Sequence, residues 1–263
     1  MSVEEHARQS IRLAGAPNFR DLGGVRTRDG RFLPPGRLYR SQALLKLDEP
    51  QWEIVEKLGI RLACDLRSPA EQAKHVVPWP DSVRALSMPV LPDERASSAE
   101  VLRRIASDPT GRAASRQLED NYAAMPSAFA ESLPGLLDGI LDRDDVPVLL
   151  YCMEGKDRTG FVSALLLTAL GVEWDAVVAD YLRSAPFYDP VLVRRVLEGA
   201  GTAPTTQVVD ALRVRPRYLE AAFAAMTKSY GGVEGYLAKA GGLTPRRLDA
   251  LRSRLLSPQR NEE

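Results

Sequence analysis

An α/β architecture with a central, mostly parallel sheet flanked by helices is predicted by three observations. Short apolar runs that read as strands alternate with segments of helical period. The run Pro147 to Tyr151 passes through a tight, glycine-containing loop into Phe161 to Leu170, which is apolar on almost every face and so reads as a helix buried on all sides. The C-terminal part is a succession of amphipathic helical patterns. The 263 residues fit one domain over 1–263, with a helical insertion at 92–134 that can act as a lid and a helical C-terminal part.

The elements follow in order. Ala16 to Gly24 ends in a glycine pair and leads through Asp29-Gly30 and Pro34-Pro35-Gly36 to Leu38-Tyr39-Arg40, breakers that space short strands and turns. From Asp48 to Leu58, Trp52, Ile54, Val55 and Leu58 recur at helical spacing, and Gly59 stands where a C-cap glycine belongs. Ile60 to Cys64 reads as a buried strand. Ser68-Pro69-Ala70-Glu71 then offers an N-cap serine, a first-turn proline and an early acid, which together start a helix. The charged, interrupted stretch 92–134 holds helical pieces at Ala99 to Ile105 and Arg116 to Ala124. A helix over Ser127 to Leu141, weakened by Pro134 and Gly135, leads through the turn Asp142 to Asp145 into the strand Pro147 to Tyr151. Gly171 closes the helix Phe161 to Leu170. Asp175 to Arg183, Val191 to Glu198, Arg217 to Ser229, Val233 to Ala238 and Pro245 to Leu256 read as further helices.

Composition narrows the function. Acidic and basic residues balance at 35 each, so no long-range field gathers nucleic acid or an anionic membrane surface. Any anion binding has to be local. The longest apolar stretches fall short of the roughly 20 residues that a membrane span needs. Met1 to Ser10 is polar and lacks a signal-peptide core. Both features point to the cytoplasm. Two cysteines without a CxxC pair, with two histidines, are too few for a multi-ligand zinc site and supply a Ser/His/Asp triad poorly. No cofactor is expected. The excess of arginine over lysine fits a GC-rich bacterial genome.

The chemistry concentrates in Val148-Leu149-Leu150-Tyr151-Cys152-Met153-Glu154-Gly155-Lys156-Asp157-Arg158-Thr159-Gly160, where a strand ends at a cysteine, five residues pass, and a helix begins near an arginine. A tight loop between strand end and helix start turns consecutive backbone N–H groups inward, a nest for a tetrahedral anion to which the helix dipole adds. Met153, Glu154, Gly155, Lys156, Asp157 and Arg158 form this phosphate cradle, and Gly155 permits a close backbone approach. The same field lowers the pKa of Cys152 and makes its thiolate available as a nucleophile. Arg158 can grip two phosphate oxygens bidentately and tighten as charge spreads over the equatorial oxygens, so that it serves the transition state. Thr159 can hydrogen-bond the sulfur and ease its departure. A merely buried thiol closing a core strand would leave the Gly155, Lys156, Arg158 and Gly160 pattern unexplained. A Walker loop is excluded, because Leu150 occupies its first glycine position and Asp157 follows Lys156.

The loop resembles the HCxxGKDRTG signature of the bacterial protein tyrosine phosphatase B-type family. Asn18-Phe19-Arg20-Asp21-Leu22-Gly23-Gly24, Leu38-Tyr39-Arg40-Ser41, Asp65-Leu66-Arg67-Ser68, Ala179-Asp180-Tyr181-Leu182 and Tyr230-Gly231-Gly232-Val233-Glu234-Gly235-Tyr236-Leu237 resemble its other recurring blocks, so that nearly the whole chain is covered. The resemblance implies the cysteine-phosphatase fold and a phosphocysteine intermediate. It further implies a phosphorylated protein as substrate, phosphotyrosine first, with phosphoserine/threonine or phosphoinositide side activities. Two positions depart from the pattern. Tyr151 stands where the family has a histidine that orients the cysteine, and Glu154 puts a carboxylate into a loop meant for a dianion.

Releasing a tyrosine or serine oxygen needs a proton donor. Asp65 follows the strand Ile60 to Cys64 and so can share the carboxyl-end rim with Cys152, whereas Asp157 lies inside the loop. The resemblance gives weight to both. Asp65 stands slightly ahead, because Asp157 can instead hold the loop in shape through its backbone amides, although an ion pair of Asp65 with Arg67 or Arg40 is nearly as good a reading. Lys156 is expected to point toward a substrate anion. Arg20 and Arg40 either line the pocket mouth or are structural, and Asn18 to Gly24 reads as a structural turn. Cys64 reads as a core thiol, or as a disulfide partner of an oxidised Cys152 if the two strands are adjacent. The rival functions are a phosphoinositide phosphatase, a rhodanese-type sulfur transferase and a catalytically weak phosphate-binding module.

Overall fold

The computed structural model describes residues 11–91, 99–141, 143, 145–201 and 203–258. The polar N-terminus Met1 to Ser10, and Asp142 and Asp144 of the expected turn, lie outside them, as do residues 92–98 of the expected insertion. Among the described residues a five-stranded sheet runs in the order β1 (Arg20–Asp21), β4 (Leu38–Gln42), β7 (Val148–Cys152), β5 (Leu62–Asp65), β6 (Arg84–Ser87). A separate ladder joins β2 (Val25–Arg26) to β3 (Phe32–Leu33). β1 is antiparallel to β4, and the other pairings in the large sheet are parallel, as the sequence predicted.

The helices are α1 (Glu49–Lys57), α2 (Pro69–Lys74), α3 (Ala99–Ser107), α4 (Arg112–Phe129), α5 (Leu133–Leu141), α6 (Asp157–Ala169), α7 (Trp174–Leu182), α8 (Pro190–Gly199), α9 (Thr206–Ala211), α10 (Pro216–Tyr230), α11 (Val233–Lys239) and α12 (Pro245–Leu255). None of the helices among the described residues is long and apolar enough to cross a membrane.

β7 is central because all five of its residues are buried, as a strand covered on both faces requires. Its side chains alternate between two cores. Val148, Leu150 and Cys152 join Leu38, Leu62 and Cys64 in the larger one, while Leu149 and Tyr151 join Tyr39, Val55 and Ala63 in the smaller. α6 is buried almost all round and fills the larger core together with residues of α4, α5, α10, α11 and α12. A satellite cluster of Ile105, Ala106, Ala114, Leu197, Val208 and Ala211 ties α3, α8 and α9 to the start of α4.

Three expectations change. The helix predicted over Ser127 to Leu141 is two: α4 ends at Phe129 and α5 starts at Leu133. Pro134 sits in the first turn of α5, where a missing N–H costs nothing, so it opens a helix instead of weakening one. β6 was not anticipated, because its alternation of half-buried and exposed residues carries little apolar signal. The insertion is not simply a cover, since Tyr122, Met125 and Phe129 of α4 are buried in the central core.

Candidate active site

Parallel strands bring their carboxyl ends to one rim. Gln42 of β4 is in register with Cys152, and Asp65 of β5 with Tyr151. Cys152 is the last residue of β7, is buried, and is a free thiol. Five residues later α6 begins at Asp157, so the helix N-terminus faces the same rim.

The orientation of the loop follows from what holds its carbonyls. Asn18 Nδ2 donates to the carbonyls of Glu154 (3.0 Å) and Gly155 (3.1 Å). Arg40 donates to those of Gly155 (2.9 Å) and Lys156 (3.4 Å), and the amide of Ala43 to that of Met153 (3.3 Å). In a trans peptide the next residue's N–H points opposite to the carbonyl. With the carbonyls of residues 153–156 drawn toward the β1–β4 side, the amides of Glu154, Gly155, Lys156 and Asp157 therefore turn to the other side. Among the described residues those amides donate to no protein acceptor. This is an anion nest built from behind. Gly155 has φ +65°, and a Cβ there would collide with the backbone of Ser41 and Gln42.

The buttress is itself held by a buried carboxylate. Asp180 of α7 bridges Arg20 (2.8 Å) and Arg40 (2.6 Å), and Arg20 also reaches Asn18 and Ser184. Burial alone would raise the Asp180 carboxyl, but the charges and hydrogen bonds of Arg20 and Arg40 hold it well below the ordinary carboxylate range. Burial and the like charge of Arg40 lower Arg20 to about 10 despite its pairing. Arg20, Arg40 and the Asn18 turn are thus structural parts of the loop's support, the second of the two readings left open for the arginines.

Arg158 enters the rim from the first turn of α6. Its guanidinium forms a bidentate pair with Glu71 (2.6 and 2.9 Å), and Glu71 simultaneously accepts the Ser68 amide (2.7 Å) in the capping box that starts α2. Burial would lower the Arg158 pKa, but its hydrogen bond to Glu71 and the neighbouring charges of Cys152, Glu71 and Asp157 raise it above the usual value. Glu71 appeared in the sequence only as a first-turn acid.

The two aspartates have different surroundings. Asp65 projects with Tyr151 on the face opposite Cys152, as the period of two demands. It accepts from Arg67 Nε (2.8 Å), Arg67 Nη2 (2.6 Å) and the Tyr151 hydroxyl (3.0 Å), and Trp79 Nε1 donates to that hydroxyl (3.2 Å). The Arg67 ion pair is therefore the reading of Asp65 that the geometry favours over a proton donor. Asp157, in the first turn of α6, accepts from the Tyr122 hydroxyl (2.7 Å) and lies 3.5 Å from Lys156. Lys156 differs from its expected role. Its buried ammonium is surrounded by Glu154 (3.5 Å), Asp157, the Leu212 carbonyl (3.3 Å) and the Tyr188 ring. Its charge balances Glu154, which accounts for a carboxylate at the loop. Met153 packs on the smaller core. Thr159 is fully buried and its hydroxyl has no hydrogen-bond partner among the described residues. Cys64, on the strand adjacent to that of Cys152, pairs with Leu150 and is wholly buried, which pushes its thiol up.

The profile of the tyrosine phosphatase family matches residues 11–257. The chain belongs to the tyrosine phosphatase family. A Cupriavidus necator relative, named as a tyrosine-protein phosphatase, is 34% identical over 227 residues, covering 85% of this chain and 81% of its own. The triple specificity protein phosphatase PtpB of Mycobacterium tuberculosis is 33% identical over 260 residues, covering 87% of this chain and 93% of its own. Among solved structures, P. aeruginosa TpbA in complex with pTyr aligns with 70% of this chain and 88% of its own at 21% identity, with a TM-score of 0.32. As a tyrosine phosphatase family member the chain is a hydrolase. Glu71, Tyr122 and Asp180 are the polar residues around its loop to which sequence reasoning gave no role. The capping signature Ser68-Pro69-Ala70-Glu71 hinted at the first of them, and the block Ala179-Asp180-Tyr181-Leu182 at the last.

Proposed function

We propose that this phosphatase hydrolyses phosphorylated proteins, phosphotyrosine foremost, through a phosphocysteine formed on Cys152. The Cys152 thiolate attacks phosphorus, the bond to the leaving oxygen breaks, and Asp157 gives that oxygen its proton. Water then attacks the phosphocysteine, the sulfur–phosphorus bond breaks, and Asp157 takes the proton back. Arg158 and the amides of the loop bind the equatorial oxygens throughout. Asp157 is preferred as donor because Asp65 projects away from the face of Cys152 and is paired with Arg67. Two unpaired cysteines also fit the reducing conditions of a cytoplasm.

One observation carries this reading. Asn18, Arg40 and Ala43 hold the loop's carbonyls on one side, which leaves a row of amides directly after a cysteine and before a fixed arginine. The test is a trapping experiment. Cys152→Ser is expected to abolish turnover of a phosphotyrosine peptide while still binding it in calorimetry. Wild-type protein that binds the peptide without turning it over would identify a binding module. Faster turnover of soluble inositol phosphates than of peptides would move the substrate class to phosphoinositides, and thiosulfate turnover alone would indicate sulfur transfer.

A further inference from the structure

Asp157 belongs to a buried hydroxyl chain. The Tyr122 hydroxyl on α4 lies 2.7 Å from Asp157 Oδ1 and 2.7 Å from the Tyr181 hydroxyl on α7. Tyr122 is fully buried, with Tyr181 edge-on to its ring at 6.2 Å and Tyr218 at 6.0 Å, so the hydroxyl has little freedom to leave. Burial first, then the neighbouring carboxylate, keeps both phenols protonated well above their ordinary range.

We propose that Tyr122, backed by Tyr181, is the positioning residue that aims the Asp157 carboxyl and sets how readily it releases its proton. The proposal rests on Asp157 being the proton donor. A hydroxyl carries one proton and accepts others. When Asp157 is ionised, Tyr122 donates to it and accepts from Tyr181. When Asp157 is protonated, its O–H donates to Tyr122, and Tyr122 donates to Tyr181. Both states keep the hydrogen bond between Asp157 and Tyr122, so the chain holds the carboxyl without fixing its charge. Asp65 shows the contrast, since both of its oxygens accept from the Arg67 guanidinium, a group that can donate but cannot accept in return. The other charged groups facing Asp157 are the Lys156 ammonium at 3.5 Å and the guanidinium of Arg158. Tyr122 adds a neutral donor on top of them.

The same contact joins the segment flagged as an insertion to the chemistry. α4 reaches the first turn of α6 through this hydroxyl, so its packing in the core also fixes a proton donor.

The experiment compares Tyr122→Phe, Asp157→Asn and the double variant across pH. The substrates are phenyl phosphate, whose leaving group needs a proton, and nitrophenyl phosphate, whose leaving group scarcely does. Phenylalanine keeps the ring and removes the donor, so the Asp157 carboxylate is less favoured and its pKa rises. The descending limb of kcat/KM, which marks loss of the donor's proton, is expected to move up by about one pH unit. Turnover of phenyl phosphate should fall about tenfold with little loss on nitrophenyl phosphate. In the Asp157→Asn background Tyr122→Phe should cost nothing further. A wild-type limb with equal losses on both substrates, or an added loss in the double variant, would reduce Tyr122 to a brace and overturn the proposal. Should Asp157→Asn alone lose equally on both substrates, the donor assignment itself fails and the proposal with it, which the single variant reveals separately.

Discussion

The Asp65 carboxylate accepts three side-chain hydrogen bonds, two of them from an arginine whose side chain is only 1% exposed. Removing half of such a pair leaves a buried charge, a loss of about 3 kcal/mol. Asp65→Asn should therefore lower the urea midpoint and reduce turnover of tyrosyl and nitrophenyl phosphate by the same factor. A selective loss on the tyrosyl ester would restore Asp65 as the donor. Glu71 is the opposite case, a carboxylate that acts on the site through Arg158. Burial would raise its pKa, but Arg158's hydrogen bonds and charge, helped by Ser68, bring it from 4.5 to about 2. A depressed carboxylate stabilises the folded state above its unfolded pKa, and that share is lost as pH falls from 4.5 toward 2. Glu71→Gln removes this share of the acid dependence, and by freeing the guanidinium it should lower kcat about ten- to a hundredfold. Urea titrations between those pH values and steady-state kinetics check both. An acid profile identical to wild type would count against the pair.

Among the elements, the loop after β7 depends on parts that are distant in sequence. Asn18→Ala would release the carbonyl of Glu154, leave that of Gly155 to Arg40 alone and take an acceptor from Arg20, at about 1–3 kcal/mol. Inorganic phosphate should then inhibit more weakly, with the stability loss visible in thermal melts. Unchanged phosphate inhibition would mean that the amides keep their direction without Asn18. What was legible in the sequence follows the same division. β7, the loop and α6 were readable because their signal is local: a wholly apolar strand, a glycine that must take positive φ, and a helix apolar on every face. β6 was not, because an edge strand with exposed Ala85 and Ser87 has no apolar alternation to detect. The pairings that decide the site were hidden as well. Asn18 lies 136 residues from Glu154, and Tyr122 lies 35 from Asp157, so only the folded sheet brings them together. For Asp65 the necessary rule was already available, since strand alternation from Cys64 sends its side chain to the face away from the larger core.

Across the whole molecule the sheet is the shared wall of two cores, and the alternating side chains of β7 belong to both. One face cannot lose its packing without releasing Leu149 and Tyr151 or Val148, Leu150 and Cys152 from the same strand. The Arg20–Asp180–Arg40 cluster adds a tie from β1 and β4 to α7 on the larger side. The expectation is one cooperative unit and hence a single domain. Tryptophans report on the two faces separately. Trp52 and Trp79 pack against the smaller core, edge-on at 5.6 Å, while Trp174 packs against the larger one with the Phe223 ring at 4.7 Å. Two variants isolate them, Trp174→Phe on one hand and Trp52→Phe combined with Trp79→Phe on the other. Each should give a urea midpoint by fluorescence equal to its own midpoint by far-ultraviolet circular dichroism. A fluorescence midpoint that departs from the dichroism midpoint in either variant would show that the faces unfold separately, and that the sheet does not bind them into one domain.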